Sequence, residues 1–135
     1  MLNQYPHNDK IKQVIKDCAD FVVNDGLNYL IPTWKKFTEN VDKDDGSIIY
    51  EYLNDLDTRN IIDRILPFVT DKERHEIVTE IEQYDKNFIS KTFEAKECLW
   101  GSENEIKEGY TRQKNFYYYR APQYLIDIEA DIEKV

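Results

Sequence analysis

Histidine, cysteine and closely spaced carboxylates are the residues that could run proton transfer, nucleophilic attack or metal binding at neutral pH, and this chain has few of the first two. His7 lies in a polar N-terminal stretch and His75 lies in Glu73-Arg74-His75-Glu76. A zinc site of the HExxH type needs a second histidine where Thr79 stands, and the Glu-x-x-His of helical di-iron bundles needs a glutamate where Lys72 stands. His75 therefore reads as an exposed residue early in a helix. Cys18 and Cys98 have no CxxC spacing and no neighbouring histidine, so a reduced, buried thiol is expected of Cys18 and no metal site of either. The run Asp42-Lys43-Asp44-Asp45-Gly46-Ser47 has the composition of a calcium loop. With Gly46 at the sixth position, however, Val41 and Lys43 occupy ligand positions and Tyr52 stands where a bidentate glutamate is required. The chain holds four glycines and no glycine-rich phosphate loop or GxSxG elbow. No catalytic role, cofactor or metal is expected.

Charge and aromatic content carry the alternative. The 135 residues include 27 acidic and 18 basic side chains, a net charge of −9, which argues against nucleic-acid binding. The acids are concentrated: Asp42, Asp44, Asp45, Glu51, Asp55 and Asp57 face a single base, Lys43, and are interleaved with Tyr50 and Tyr52. Arg112, Lys114 and Arg120 lie in a stretch, Gly109 to Arg120, without any acid. A carboxylate patch set with tyrosines suits a basic protein surface, because carboxylates mimic phosphates and rings bury area at small entropic cost. Aromatic residues make up 13% of the chain, ten of them tyrosine. In an extended strand, side chains alternate between faces, so Tyr118, or else Tyr117 and Tyr119, is expected to point outward and form a contact platform with Arg120.

These residues need a scaffold, and the apolar pattern predicts a helical one. Ile11, Val14, Ile15, Cys18, Phe21 and Val22 recur at helical spacing over residues 9–23. Pro32 and Thr33 can open a second helix carrying Trp34, Phe37 and Val41 inward. Ser47 is a candidate cap for a helix bearing Ile49, Tyr52, Leu53 and Leu56, and Ile61, Ile62, Ile65 and Leu66 either continue it or form another begun at Asp57 or Thr58. Thr70-Asp71-Lys72-Glu73 is a capping-box pattern ahead of Ile77, Val78, Ile81, Tyr84 and Phe88, with Phe93 at the far end. Phe116 to Pro122 reads as an extended aromatic arm; Leu125, Ile126, Ile128 and Ile132 suggest a short terminal helix, and the alternation over Leu125 to Ile128 also allows a strand. The expectation is a mostly α protein: residues 1–135 as a single-domain bundle of four to six helices with an extended aromatic C-terminal arm. Arg59 and Arg120 are expected to form inward ion pairs with partners such as Asp55 or Asp63. With no apolar leader and no run of 18 apolar residues, neither a signal peptide nor a membrane span is expected, and a cytoplasmic location follows.

The run Tyr52-Leu53-Asn54-Asp55-Leu56-Asp57-Thr58-Arg59, followed by Leu66-Pro67, Arg74, Asp85, Phe88, Thr92, Trp100 and Tyr119-Arg120-Ala121-Pro122, resembles small acidic helical immunity proteins of bacterial toxin systems, of the colicin or contact-dependent growth inhibition kind. The resemblance implies a cognate inhibitor that covers the basic active cleft of a toxin nuclease and performs no chemistry. The expected contact residues are Asp42, Asp44, Asp45, Tyr50, Glu51, Tyr52, Asp55, Asp57, Trp100, Tyr117, Tyr118, Tyr119 and Arg120. The alternative is a helical adaptor that pairs with a second copy of itself through its aromatic surface.

Overall fold

The structure is a computed structural model that describes residues 4–135. It is a helical bundle, with α1 at Asp9–Val14, α2 at Asp20–Asp25, α3 at Leu27–Asn40, α4 at Ile49–Ile65, α5 at Asp71–Lys91, α6 at Ser102–Glu108 and α7 at Gln123–Ile128. Helix α3 packs between α4 and α5, and these three bury Leu30, Ile31, Trp34, Leu53, Leu56, Ile62, Ile77, Ile81 and Phe88. Among the described residues no helix is long and apolar enough to cross a membrane.

The first expected helix is divided in two. The apolar stripe is partly respected, since Ile11, Ile15 and Val22 are buried, but Cys18 is only half-buried and Phe21 is exposed. Arg64 of α4 explains the break: its guanidinium takes the Val14 carbonyl at 2.7 Å and the Asp17 carboxylate at 2.8 Å, which offers that backbone a partner other than the next helical turn. After α2 the chain turns at Gly26, whose φ of +55° suits glycine. A side chain there is also excluded by space, because a Cβ would stand 2.4 Å from His7 Nδ1.

Helix α3 begins five residues before Pro32, so the proline lies inside the helix and not at its start. An interior proline costs about 3 kcal/mol. The additional turns bury Leu27, Leu30 and Ile31, each contributing about 1.5–3 kcal/mol, so burial outweighs the missing hydrogen bond. Helix α4 is continuous from Ile49 to Ile65, with Ile48 and not Ser47 at its cap, where the Ile48 N–H donates to Glu51 Oε1 at 3.3 Å. Helix α5 begins with the expected reciprocal cap, Glu73 N–H donating to Thr70 Oγ1 at 3.1 Å and Thr70 N–H to Glu73 Oε1 at 2.9 Å. It stops at Lys91, so Phe93 falls in a two-residue strand, 44% exposed, with the Lys134 ammonium 3.9 Å from its ring centre.

That strand, β1 at Phe93–Glu94, pairs antiparallel with β2 at Arg120–Ala121. Only there is the aromatic segment extended; Phe116–Tyr119 forms a 3₁₀ turn. The expectation that one or two of the three tyrosines point outward is therefore overturned: Tyr117, Tyr118 and Tyr119 are all buried. A 3₁₀ turn has about three residues per turn, so consecutive rings leave in three directions instead of two. The bundle lies on one side and the segment Ala95–Tyr110 on the other, held by Ala95 N–H on the Tyr119 carbonyl and Leu99 N–H on the Tyr118 carbonyl.

Candidate functional site

Six of the thirteen residues expected at a contact surface, Tyr52, Asp57, Tyr117, Tyr118, Tyr119 and Arg120, are instead engaged inside the fold. Tyr118 donates to Asp57 at 2.5 Å, Tyr119 faces Glu105 and the Tyr110 carbonyl, and Tyr117 lies between Asn60, Asp63 and Asn115. Burial and then these carboxylate contacts push the Tyr118 and Tyr119 hydroxyls well above the ordinary phenol range. Asp57 is raised by burial, against which the Tyr118 hydrogen bond pulls it down. Tyr52, expected at a contact, is buried, and its hydroxyl donates to the Arg120 carbonyl at 2.7 Å. These rings are not available to a toxin or to a second copy of the chain.

The arginines are engaged in the same way. Arg59 forks onto both oxygens of Asp85 and also meets Asp63, while Trp34 Nε1 donates to Asp85 Oδ1 at 2.9 Å. Asp63, and not Asp55, is thus its neighbour on α4. Burial lowers the Arg59 pKa, but Asp85 and Asp63 more than reverse this and hold the guanidinium charged. Arg120 has no carboxylate partner among the described residues; it closes the C-terminal end of α5 through Thr92 Oγ1, the Thr92 carbonyl and the Ile89 carbonyl. Arg112 binds Glu94 and the carbonyls of Ala95 and Lys96, with its guanidinium over the Tyr119 ring at 4.7 Å. The apparently basic arm therefore presents only Lys114 as an exposed, unengaged cation among the described residues. Arg59 with Asp85 ties α4 to α5, and Arg120 with Thr92 ties β2 to the end of α5.

Two open grooves flank the first turns of α4. The larger, about 770 Å³, is bounded by Ile49, Tyr50 and Leu53 of α4, the segment Ala95–Asn104, and the C-terminal tail Glu129–Glu133. Its walls are set by backbone pairing, since Lys96 N–H donates to the Glu133 carbonyl and Val135 N–H to the Glu94 carbonyl, each within 2.9 Å. Tyr50 is 69% exposed on its rim and Ile48, beside it on the chain, is 49% exposed. Trp100 joins the wall, its ring edge-on to Tyr118 at 6.4 Å; its buried indole N–H has no acceptor among the described residues. Glu97, Glu129, Asp131 and Glu133 line the groove against one cation, Lys96, which already contacts Glu133 at 3.2 Å. This surface unites Tyr50 and Trp100 from the expected contact set.

The smaller groove, about 510 Å³, lies on the other flank of α4 and unites Asp45, Tyr52 and Asp55 with Phe37, Lys36 and Tyr124. The remaining acids of the expected patch have local partners: Asp44 accepts from Gly46 N–H, Asp42 is 3.9 Å from Lys91, and Glu51 accepts from Ile48 N–H. Sequence reasoning missed the acidic wall of the tail. Its signal was the density of acids near the end of the chain, Asp127, Glu129, Asp131 and Glu133. Among the described residues no group of three or more His, Cys, Asp and Glu is placed to hold a metal ion. Set against known protein families, curated proteins and solved structures, the chain matches none.

Proposed function

We propose that this protein is a binding domain that receives a basic segment of a partner protein in the groove between α4, Ala95–Asn104 and the C-terminal tail. The observation that carries this reading is an open groove whose lining carboxylates, Glu97, Glu129, Asp131 and Glu133, outnumber its one cation, Lys96, with Tyr50 69% exposed at its rim. Tyr50 offers a large ring already exposed, and Glu97, Glu129 and Asp131 supply the charge that attracts lysine and arginine. In the finer form that the resemblance implies, the partner is a bacterial toxin with a basic active cleft, neutralised in the cytoplasm by stoichiometric binding.

The test is titration calorimetry and a growth-rescue assay with the toxin encoded immediately upstream. One-to-one binding with rescue is expected, weakening as salt rises because the attraction is screened. Tyr50→Ala is expected to weaken binding roughly 5- to 30-fold, the range of an interface anchor worth about 1–2 kcal/mol. Glu97→Lys with Asp131→Lys is expected to slow association. Neither binding nor rescue by the folded wild-type protein would sink the immunity reading. A concentration-dependent dimer dissolved by Tyr50→Ala would favour the adaptor instead.

A further inference from the structure

The smaller groove is built differently from the larger one and has its own chemistry. It is lined by Phe37 from α3 and Tyr124 from α7, with Tyr52 of α4, itself buried, packed against Phe37, and with the carboxylates of Asp45 and Asp55 at the same opening. Phe37 and Tyr52 are packed 5.9 Å apart at 49°, so the aromatic wall is preformed. Asp45 has one oxygen on the Ser47 N–H. Asp55 keeps an exposed outer side, while partial burial, then the charges of Asp45 and Glu51, push its carboxyl up to about 6 with no neighbouring cation to offset them. Burial, followed by Asp45, Asp44, Asp55 and Glu51, likewise pushes the Tyr124 hydroxyl up to about 12, so the negative field extends across the groove. The facing charged and titratable groups are Lys36 from α3, Asp44 and Asp45 from the turn, Glu51, Tyr52 and Asp55 from α4, and Tyr124 from α7. Lys36 forms no ion pair with either carboxylate within 4.0 Å among the described residues.

Rings and uncompensated carboxylates at one opening are what an organic cation requires. An ammonium group is drawn to the faces of aromatic rings and to carboxylate oxygens, and its carbon chain covers apolar surface. A neutral ligand would leave Asp55 as costly as before. An anion would be repelled. The space, about 510 Å³, lies within the range of about 300–1,000 Å³ typical of small-molecule sites.

We propose that the groove between α3, the Asp44–Ser47 turn, α4 and Tyr124 is a binding site for a small alkylammonium ion, with its charge at Asp55 and Asp45 and its carbon chain against Phe37 and Tyr124. The site is independent of the protein-binding groove on the other flank of α4, and its failure leaves that reading intact.

The probe is n-pentylammonium chloride, titrated into the whole protein at constant ionic strength and followed by calorimetry and amide chemical shifts, with n-pentanol as the neutral counterpart. Binding of the amine that perturbs residues around Asp55, at least tenfold tighter than the alcohol, is expected. The affinity should fall about tenfold from pH 7.5 to pH 5, because a carboxyl titrating near 6 is about nine-tenths protonated at the lower pH. Asp55→Asn should weaken binding at pH 7.5 about tenfold and remove the pH dependence, and Lys36→Met should tighten it two- to threefold. A lysine amide that binds as tightly as the amine would identify a side chain of a protein as the natural source of the cation. Equal binding of amine and alcohol, no binding of either, or an Asp55→Asn variant that is folded by circular dichroism and binds like wild type, would overturn the proposal.

Discussion

Tyr118 and Tyr50 are both tyrosines set beside the acidic face of α4, and the fold uses them in opposite ways. Tyr118 is buried, its hydroxyl is on Asp57, and its ring is packed edge-on to Trp100 and Tyr117. Tyr50 stands 69% exposed at the rim of a groove with an unpaired indole N–H in its wall. The two environments have nearly the same composition, tyrosine, tryptophan and carboxylate. What separates them is saturation: around Tyr117–Tyr119 each hydroxyl and guanidinium has found a protein partner, whereas around Tyr50 and Asp55 donors and acceptors are left over. A surplus of aromatic and acidic residues therefore does not identify an interface; the unpaired members of such a set are where a partner is proposed.

The saturated region is expected to be sensitive to loss of any one partner. Asp85→Ala removes the fork that holds Arg59 and the acceptor of Trp34 Nε1, both side chains of the ion pair being less than 15% exposed. Breaking such a pair is expected to cost about 3–5 kcal/mol in urea unfolding, because the guanidinium is left inside with Asp63 as its one remaining carboxylate and Trp34 Nε1 loses its acceptor. Replacing both members, Arg59→Met with Asp85→Leu, is expected to recover part of that loss, since Trp34 Nε1 still lacks its acceptor and Asp63 its cation. A loss below about 1 kcal/mol for Asp85→Ala would show that the network does not hold α3, α4 and α5 together.

The saturation argument also explains how much could be read from sequence. Helix α5 was legible to its first residue, because Thr70 and Glu73 act on the backbone three residues apart and need nothing distant. The bundle and most of its core were legible from helical spacing at Leu53, Leu56, Ile77 and Ile81. The break after Val14 was not, because its cause is Arg64, fifty residues away. Tyr117–Tyr119 were misplaced for a similar reason: a strand and a 3₁₀ turn accept the same β-prone residues, and the choice is made by the segment Ala95–Tyr110 that covers them. Of the candidate site, Tyr50 and Trp100 were in the expected set, while the tail acids were passed over because their density alone does not show which groove they line.

A smaller effect compares the two tyrosines directly. Tyr118→Phe keeps the ring and removes the donor to Asp57, leaving a half-buried carboxylate unpaired, with an expected loss of about 1–2 kcal/mol in the same unfolding assay. The Asp57 carboxyl should rise further, because the bond that opposed its burial is gone. Tyr50→Phe, at an exposed position, is expected to stay within about 0.5 kcal/mol of wild type. Equal effects at the two positions would erase the distinction between the saturated and the open regions.

The smallest expected change has the opposite sign. Asp55 titrates near 6 in the folded chain and near the ordinary carboxylate value, about 4, when unfolded. Between these values the folded state holds the extra proton, so this group stabilises the fold fully below about pH 4 and its contribution is lost as pH rises through 6. Asp55→Asn cannot ionise, so its stability should not carry this fall. At pH 7 the variant should be more stable than wild type by less than about 1 kcal/mol, since the carboxylate keeps one side in water. The same substitution is expected to weaken alkylammonium binding, so stability gained and affinity lost would move together. That pairing is what a carboxylate kept for a ligand predicts, because the repulsion it brings to Asp45 and Glu51 is relieved only when a cation arrives. A variant more stable at neutral pH with unchanged amine affinity would instead place Asp55 among residues whose cost the fold merely tolerates.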